Sequence, residues 1–136
     1  MIDQSKPTLY LVRGVSGAGK STFAATLANS LGIAYYEADA FFVNRNGEYN
    51  FKPELLHEAH SLCEYWVKRD LGRSFSVVVS NTSTTEKEVK VYQDIAKEHN
   101  ANFVSLIVEN RNDTMSVHDV PEDVLQKQRK RFSVKL

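Results

Sequence analysis

Gly14-Val15-Ser16-Gly17-Ala18-Gly19-Lys20-Ser21 is the stretch on which the reading of this chain turns. It fits the pattern G-x-x-x-x-G-K-[ST]. The glycines let the chain bend so that successive backbone N–H groups point inward at phosphate oxygens. A helix opening near Lys20 adds the positive end of its dipole. Lys20 then stands where it reaches the β- and γ-phosphates of a nucleoside triphosphate, and the Ser21 hydroxyl where it binds Mg²⁺. Gly14, Ser16, Gly17, Ala18, Gly19 and Thr22 complete the cradle, with ATP as the expected occupant. At the average glycine usage of about 7%, a chance match in a chain this long has odds of roughly half a per cent.

The flanks agree with the motif. Thr8 to Arg13 (TLYLVR) is a short apolar run that fits a buried strand. Ser21 to Leu31 reads as a helix with Gly32 as its stop. Ile33 to Glu37 reads as a second strand and Asn44 to Asn50 as a polar loop. Pro53 suits the first turn of a further helix. Leu55, Leu56, Ala59, Leu62, Cys63, Trp66 and Val67 draw one apolar stripe along it, and Gly72 ends it. Phe75 to Val79 (FSVVV) is a β-branched strand signal. Thr85 and Glu88 form a capping box opening a helix to about His99. Phe103 to Val108 reads as a fourth strand, and Pro121 as the start of a last helix to about Phe132. Strands alternating with helices predict an α/β fold in three layers, a P-loop NTPase fold with a parallel sheet of about four strands and helices on both faces. Ligands in such sheets bind beyond the carboxyl ends of the strands, where every polar motif named here falls.

The bulk composition fits one domain of 136 residues, 42% apolar and 25% charged. Seventeen basic and seventeen acidic side chains cancel, which argues against a protein that coats long stretches of nucleic acid but allows one that grips a strand end. Cys63 is the only cysteine and has no partner for an internal disulfide, so a reducing compartment is the natural setting. No apolar run approaches a membrane span, and the first residues lack the apolar block of a signal peptide. A soluble, cytoplasmic protein with no membrane partner is expected. The histidines His57, His60, His99 and His118 show no metal-ligand spacing, so Mg²⁺ is the only metal expected.

Asp39, just past the second strand in Tyr36-Glu37-Ala38-Asp39-Ala40-Phe41-Phe42, suits the base that takes the proton of an attacking hydroxyl. Glu37 is the alternative. The third strand, where an acid commonly orders the Mg²⁺ shell, ends instead in Val79-Ser80-Asn81-Thr82. Mg²⁺ tolerates a shell of phosphates, Ser21 and water. Asn81 and Thr82 either orient the acceptor or belong to a hydroxyl-rich turn capping the next helix. Arg111 follows the fourth strand, where an arginine can fold over the nucleotide and stabilise charge on the transferring group. Lys127, Arg129, Lys130 and Arg131 close the last helix, where the helix dipole alone accounts for them. Arg45, Lys52, Arg69 and Arg73 with Tyr49 and Phe51 are candidates for a basic, aromatic-lined funnel.

These residues resemble the phage-type polynucleotide 5′-hydroxyl kinases and their small ATP-binding relatives, from Thr8 to about Phe132. GVSGAGKST is similar to that family's GxPGSGKST, with Val15-Ser16 in place of its residue-proline pair. Asp39 matches the first acid of a DDY-type motif, with Ala40 at the second acid and Phe41 at the aromatic. Ser80-Asn81-Thr82-Ser83 is similar to the [SD]-[DN]-T-N turn, and Arg111-Asn112 to an R-N lid motif followed by Val120-Pro121. The resemblance implies a single kinase domain over 1–136, with an N-terminal tail at 1–7 and a lid segment at 109–120. It implies transfer of the ATP γ-phosphoryl group to a 5′-hydroxyl end of DNA or RNA, with Asp39 as base. Two further positions depart from the pattern: Phe42 stands where some members carry arginine, and Met115 near an expected second lid arginine. A nucleoside or metabolite kinase and an inactive ATP-binding module remain the alternative readings.

Overall fold

The computed structural model describes residues 2–14, 19–81 and 85–109. Four parallel strands form one sheet in the order β2-β3-β1-β4: β1 (Thr8–Arg13), β2 (Ala34–Tyr36), β3 (Val77–Ser80) and β4 (Asn102–Ile107). The helices are α1 (Lys20–Leu31), α2 (Leu56–Gly72) and α3 (Glu86–Glu98). The expected helix from Pro121 lies outside the described residues.

Period-two alternation divides the core. Leu9 and Leu11 of β1 and Val77 and Val79 of β3 pack on Ala59, Cys63, Val67 and Leu71 of α2 and on Tyr92, Ile95 and Ala96 of α3. Val12 and Val78 turn the other way and meet Ala24 and Ala28 of α1. Both faces of the sheet are therefore covered, which is why β1 and β3 read as unbroken apolar runs. Each fully buried Leu or Val contributes about 1.5–3 kcal/mol. β1 and β3 are neighbours, yet the chain leaves β1 for α1 on one face and β3 for α3 on the other. The crevice between their carboxyl ends is the place where such sheets take ligands.

Three element ends and one burial pattern differ from the periodicity reading. Gly32 adopts a left-handed φ of 66°. It donates to Asn29 O while Ile33 N donates to Ala28 O, the paired bonds of a Schellman cap. Ile33 thus belongs to the helix stop, and β2 begins at Ala34. Phe75 is not in a strand: it is 61% exposed, and its N–H still bonds Asp70 O in the turn that ends α2. Pro53 opens a 3-10 turn, Pro53–Leu55, rather than the α-helix itself. Leu56 is exposed, while Asp70 is buried on the core face of α2. Asp70 accepts the Tyr36 hydroxyl and pairs with Arg69.

The capping box forms as expected: Thr85 Oγ1 accepts from Glu88 N, and Glu88 Oε2 accepts from Thr85 N. The polar segment after Val43 is a tight turn organised by one side chain. Asn44 Oδ1 accepts from both Asn46 N and Glu48 N, and an antiparallel bridge joins Val43 to Tyr49. Among the described residues, no helix is long and apolar enough to cross a membrane.

Candidate active site

The site is built from the carboxyl ends of β1, β2 and β3. Gly14 is buried directly after β1. Gly19 precedes α1 with φ 87°, and an added Cβ would meet nothing there within 4 Å. Its requirement for glycine is therefore the left-handed backbone and not space. Gly19 supplies no capping side chain, and no acid stands in the first turn of α1. The start of α3, by contrast, is satisfied by Thr85 and Glu88. The amides at the start of α1 face the crevice without a carboxylate of their own helix.

Lys20 is half-buried beside two acids. Burial pulls its ammonium below the ordinary 10.5, and Asp39 and Glu37 oppose that shift. Ser21 Oγ donates to Glu37 Oε2 at 3.1 Å, and the Tyr35 hydroxyl donates to the same oxygen at 2.5 Å. Burial, then the Glu37 carboxylate, raise the Tyr35 phenol well above its ordinary value. Thr22 faces outward, with its carbonyl accepting the Thr26 hydroxyl.

Asp39 sits in a 3-10 turn, Ala38–Phe42, immediately after β2. Its charge, and that of Glu37 to a lesser degree, acts on both Lys20 and Tyr49. Tyr49 belongs to a ring cluster. Phe42 packs edge-on against Phe41 and Phe51, and the Tyr49 and Phe51 rings stack at 6.5 Å with an 8° interplanar angle. Phe42 is buried, whereas Phe41, Tyr49 and Phe51 are 38%, 46% and 44% exposed.

Asn81 is nearly buried. Its Oδ1 accepts from Ala38 N at 2.9 Å and its Nδ2 donates to the Tyr92 hydroxyl at 3.1 Å, which in turn reaches Cys63 Sγ. Both ends of the amide thus hold the protein together, fixing the turn that carries Asp39. Ser80, at the end of β3, has a buried Oγ with no hydrogen-bond partner among the described residues.

The structure brings Gly14, Gly19, Lys20, Ser21, Asp39 and Asn81 to one sheet end. Ser16, Gly17, Ala18, Thr82, Arg111, Met115 and the 109–120 segment beyond Glu109 lie outside the described residues. Arg69 and Arg73 belong elsewhere. Arg73 follows the far end of α2, a helix of 17 residues, and Arg69, in its last turn, is held by Asp70 and donates to the Tyr36 hydroxyl at 3.2 Å. Periodicity did not single out Tyr35 or the Glu37–Ser21 bond, although Tyr35 and Glu37 stand two apart, the spacing that puts strand side chains on one face.

An Mg²⁺ ion, which a cradle of this kind uses with its nucleotide, finds oxygen donors suited to a hard cation: the Ser21 hydroxyl and the orphaned Ser80 Oγ nearby. Among the described residues no group of three or more His, Cys, Asp or Glu forms a protein cage. Phosphates and water are left to complete the shell.

Strand order β2-β3-β1-β4, with the glycine-lysine-serine turn at the mouth of β1, defines a P-loop kinase-like α/β domain. The chain belongs to the AAA domain family, whose model matches residues 9–134. It is 33% identical over 94 residues to human NEDD4-binding protein 2, covering 67% of this chain and 5% of that protein. Over 94 residues it is 52% identical to a probable gluconokinase of Rattus norvegicus, covering 65% of this chain and 49% of that protein. The chain thus spans half or less of the length of these relatives. In the structure of the Pnkp1/Rnl/Hen1 RNA repair complex, one chain superposes with a TM-score of 0.75 at 17% identity, covering 93% of this chain and 44% of that one. At that identity the likeness bears on the fold alone.

Proposed function

We propose that this domain transfers the γ-phosphoryl group of ATP to a hydroxyl held beside Asp39, and that the acceptor is the 5′-hydroxyl end of a DNA or RNA strand. One observation carries the reading: Asp39 stands in the turn after β2, where its charge acts on Lys20 of the phosphate cradle and on Tyr49, and Tyr49, Phe41 and Phe51 are exposed rings of one cluster. Nucleobases stack on such rings, each contact contributing about 1–3 kcal/mol with little sequence preference.

The glycine turn and the α1 amides hold the phosphates, and Lys20 offsets charge on the transferring group. Asp39 accepts the proton of the attacking hydroxyl as its oxygen bonds the γ-phosphorus and the bond to ADP breaks. Ser21 would hold Mg²⁺ together with the nucleotide, and the bound ion would supply charge neutralisation. Asn81 keeps Asp39 in register through Ala38 N. Thr82 is assigned to the acceptor and Arg111 to closing over the nucleotide.

A second reading, a sugar-acid kinase, is favoured by the 52% identity to a probable gluconokinase. Its acceptor would occupy the same position beside Asp39. The test of the shared chemistry is Asp39→Asn. Turnover should fall about 10²–10⁴-fold with ATP affinity retained. Unchanged turnover would remove Asp39 from the mechanism. Tight ATP binding by the unsubstituted protein with no transfer to any acceptor would leave a nucleotide-binding module.

A further inference from the structure

The acid that the end of β3 lacks has a counterpart one strand away. β2 pairs with β3 in a register that sets Tyr36 against Val79, so the next residues, Glu37 and Ser80, stand level at the sheet end. β3 lies between β2 and β1. To reach Ser21 at the start of α1, the Glu37 side chain therefore crosses in front of β3, where a β3 carboxylate would project. The β3 residue there is the small Ser80, whose buried Oγ makes no hydrogen bond of good geometry among the described residues, though it lies close enough to act on the Tyr35 hydroxyl.

The geometry points to Glu37 as the acid that orders Mg²⁺ at this site, standing in from β2 for the missing carboxylate of β3. The inference rests on the ATP-binding reading given above. Both hydrogen bonds to Glu37 fall on Oε2, from Tyr35 and from Ser21, and no described residue donates to Oε1. With its proton directed at Glu37, the Ser21 hydroxyl keeps its lone pairs for a cation. The second carboxylate oxygen accepts from the waters that Mg²⁺ retains. Tyr35 holds the carboxylate in place from below, as outer-shell donors do at other metal sites. Glu37 is thus a positioning residue for the metal, and Asp39, two residues on, is the base.

Calorimetric titration with a non-hydrolysable ATP analogue, in Mg²⁺ and in EDTA, tests the assignment without requiring turnover. In the unsubstituted protein Mg²⁺ should strengthen binding. In Glu37→Gln the EDTA affinity should be retained while the Mg²⁺ gain shrinks about 10–100-fold. The Mn²⁺ electron paramagnetic resonance spectrum of the nucleotide complex should also move towards that of free Mn²⁺–nucleotide. Should Glu37→Gln not fold, Tyr35→Phe carries the same comparison, with a smaller loss expected. An unchanged Mg²⁺ gain in the folded variant would overturn the proposal. Absence of nucleotide binding by the unsubstituted protein in both conditions would instead overturn the ATP reading beneath it.

Discussion

At the residue scale the two carboxylates of the site are held differently. Glu37 accepts two hydroxyl protons on one oxygen, whereas none of the described residues donates a hydrogen bond to Asp39. The proposed division, Asp39 as base and Glu37 beside the metal, follows that difference in hydrogen bonding. Lys20 offers a pH test. Burial favours its neutral form, and arriving phosphates favour the charged form. Nucleotide binding should therefore raise its pKa. As pH climbs through the lowered value, binding should weaken and draw a proton from solvent. Calorimetry in buffers of differing ionisation enthalpy would register that uptake, and Lys20→Met should abolish it along with most of the affinity.

At the scale of elements, the Asn81 amide joins the end of β3 to the turn after β2 and to Tyr92 of α3. Asn81→Ala leaves the buried Ala38 N–H unpaired. It should cost about 1–3 kcal/mol, seen as a lower urea midpoint, and should lower turnover more than ATP affinity because Asp39 rides on that turn. Thr85→Ala removes the α3 cap and should cost about 1 kcal/mol while leaving turnover unchanged. Much of this level was legible in the sequence. The Gly32 stop and the Thr85–Glu88 box depend on a few adjacent residues, and both form where the pattern put them. The start of β3 was misread because the φ of Ser74, 65°, and the bond from Phe75 N to Asp70 O belong to a turn that strand propensity does not register. Asp70 escaped the apolar stripe for a related reason. It is buried through a tertiary partner, Tyr36, that lies 34 residues away.

At the scale of the whole molecule, the sheet collects residues from three strand ends into one crevice and sends other charges away from it. The sequence supplied four candidate cations for a funnel, yet Arg69 and Arg73 stand at the opposite end of α2. Arg45 and Lys52 flank the aromatic platform in the chain. With so few cations, attraction for a strand end should come more from stacking than from charge. Binding of a short 5′-hydroxyl oligonucleotide should therefore depend weakly on salt, with a log–log slope of roughly −0.7 to −1.4, equivalent to one or two phosphates. Tyr49→Ala should weaken that binding by about 1–3 kcal/mol and leave ATP affinity unchanged. Direct titration of a labelled oligonucleotide checks both.

Strand-end transfer is read out by incubating the protein with γ-labelled ATP, Mg²⁺ and an equimolar mixture of 5′-hydroxyl DNA, 5′-hydroxyl RNA, nucleosides and gluconate. Label should appear at an oligonucleotide 5′ end and be lost in Asp39→Asn. Label confined to gluconate or another small acceptor would contradict strand-end transfer and assign the platform beside Asp39 to a different substrate.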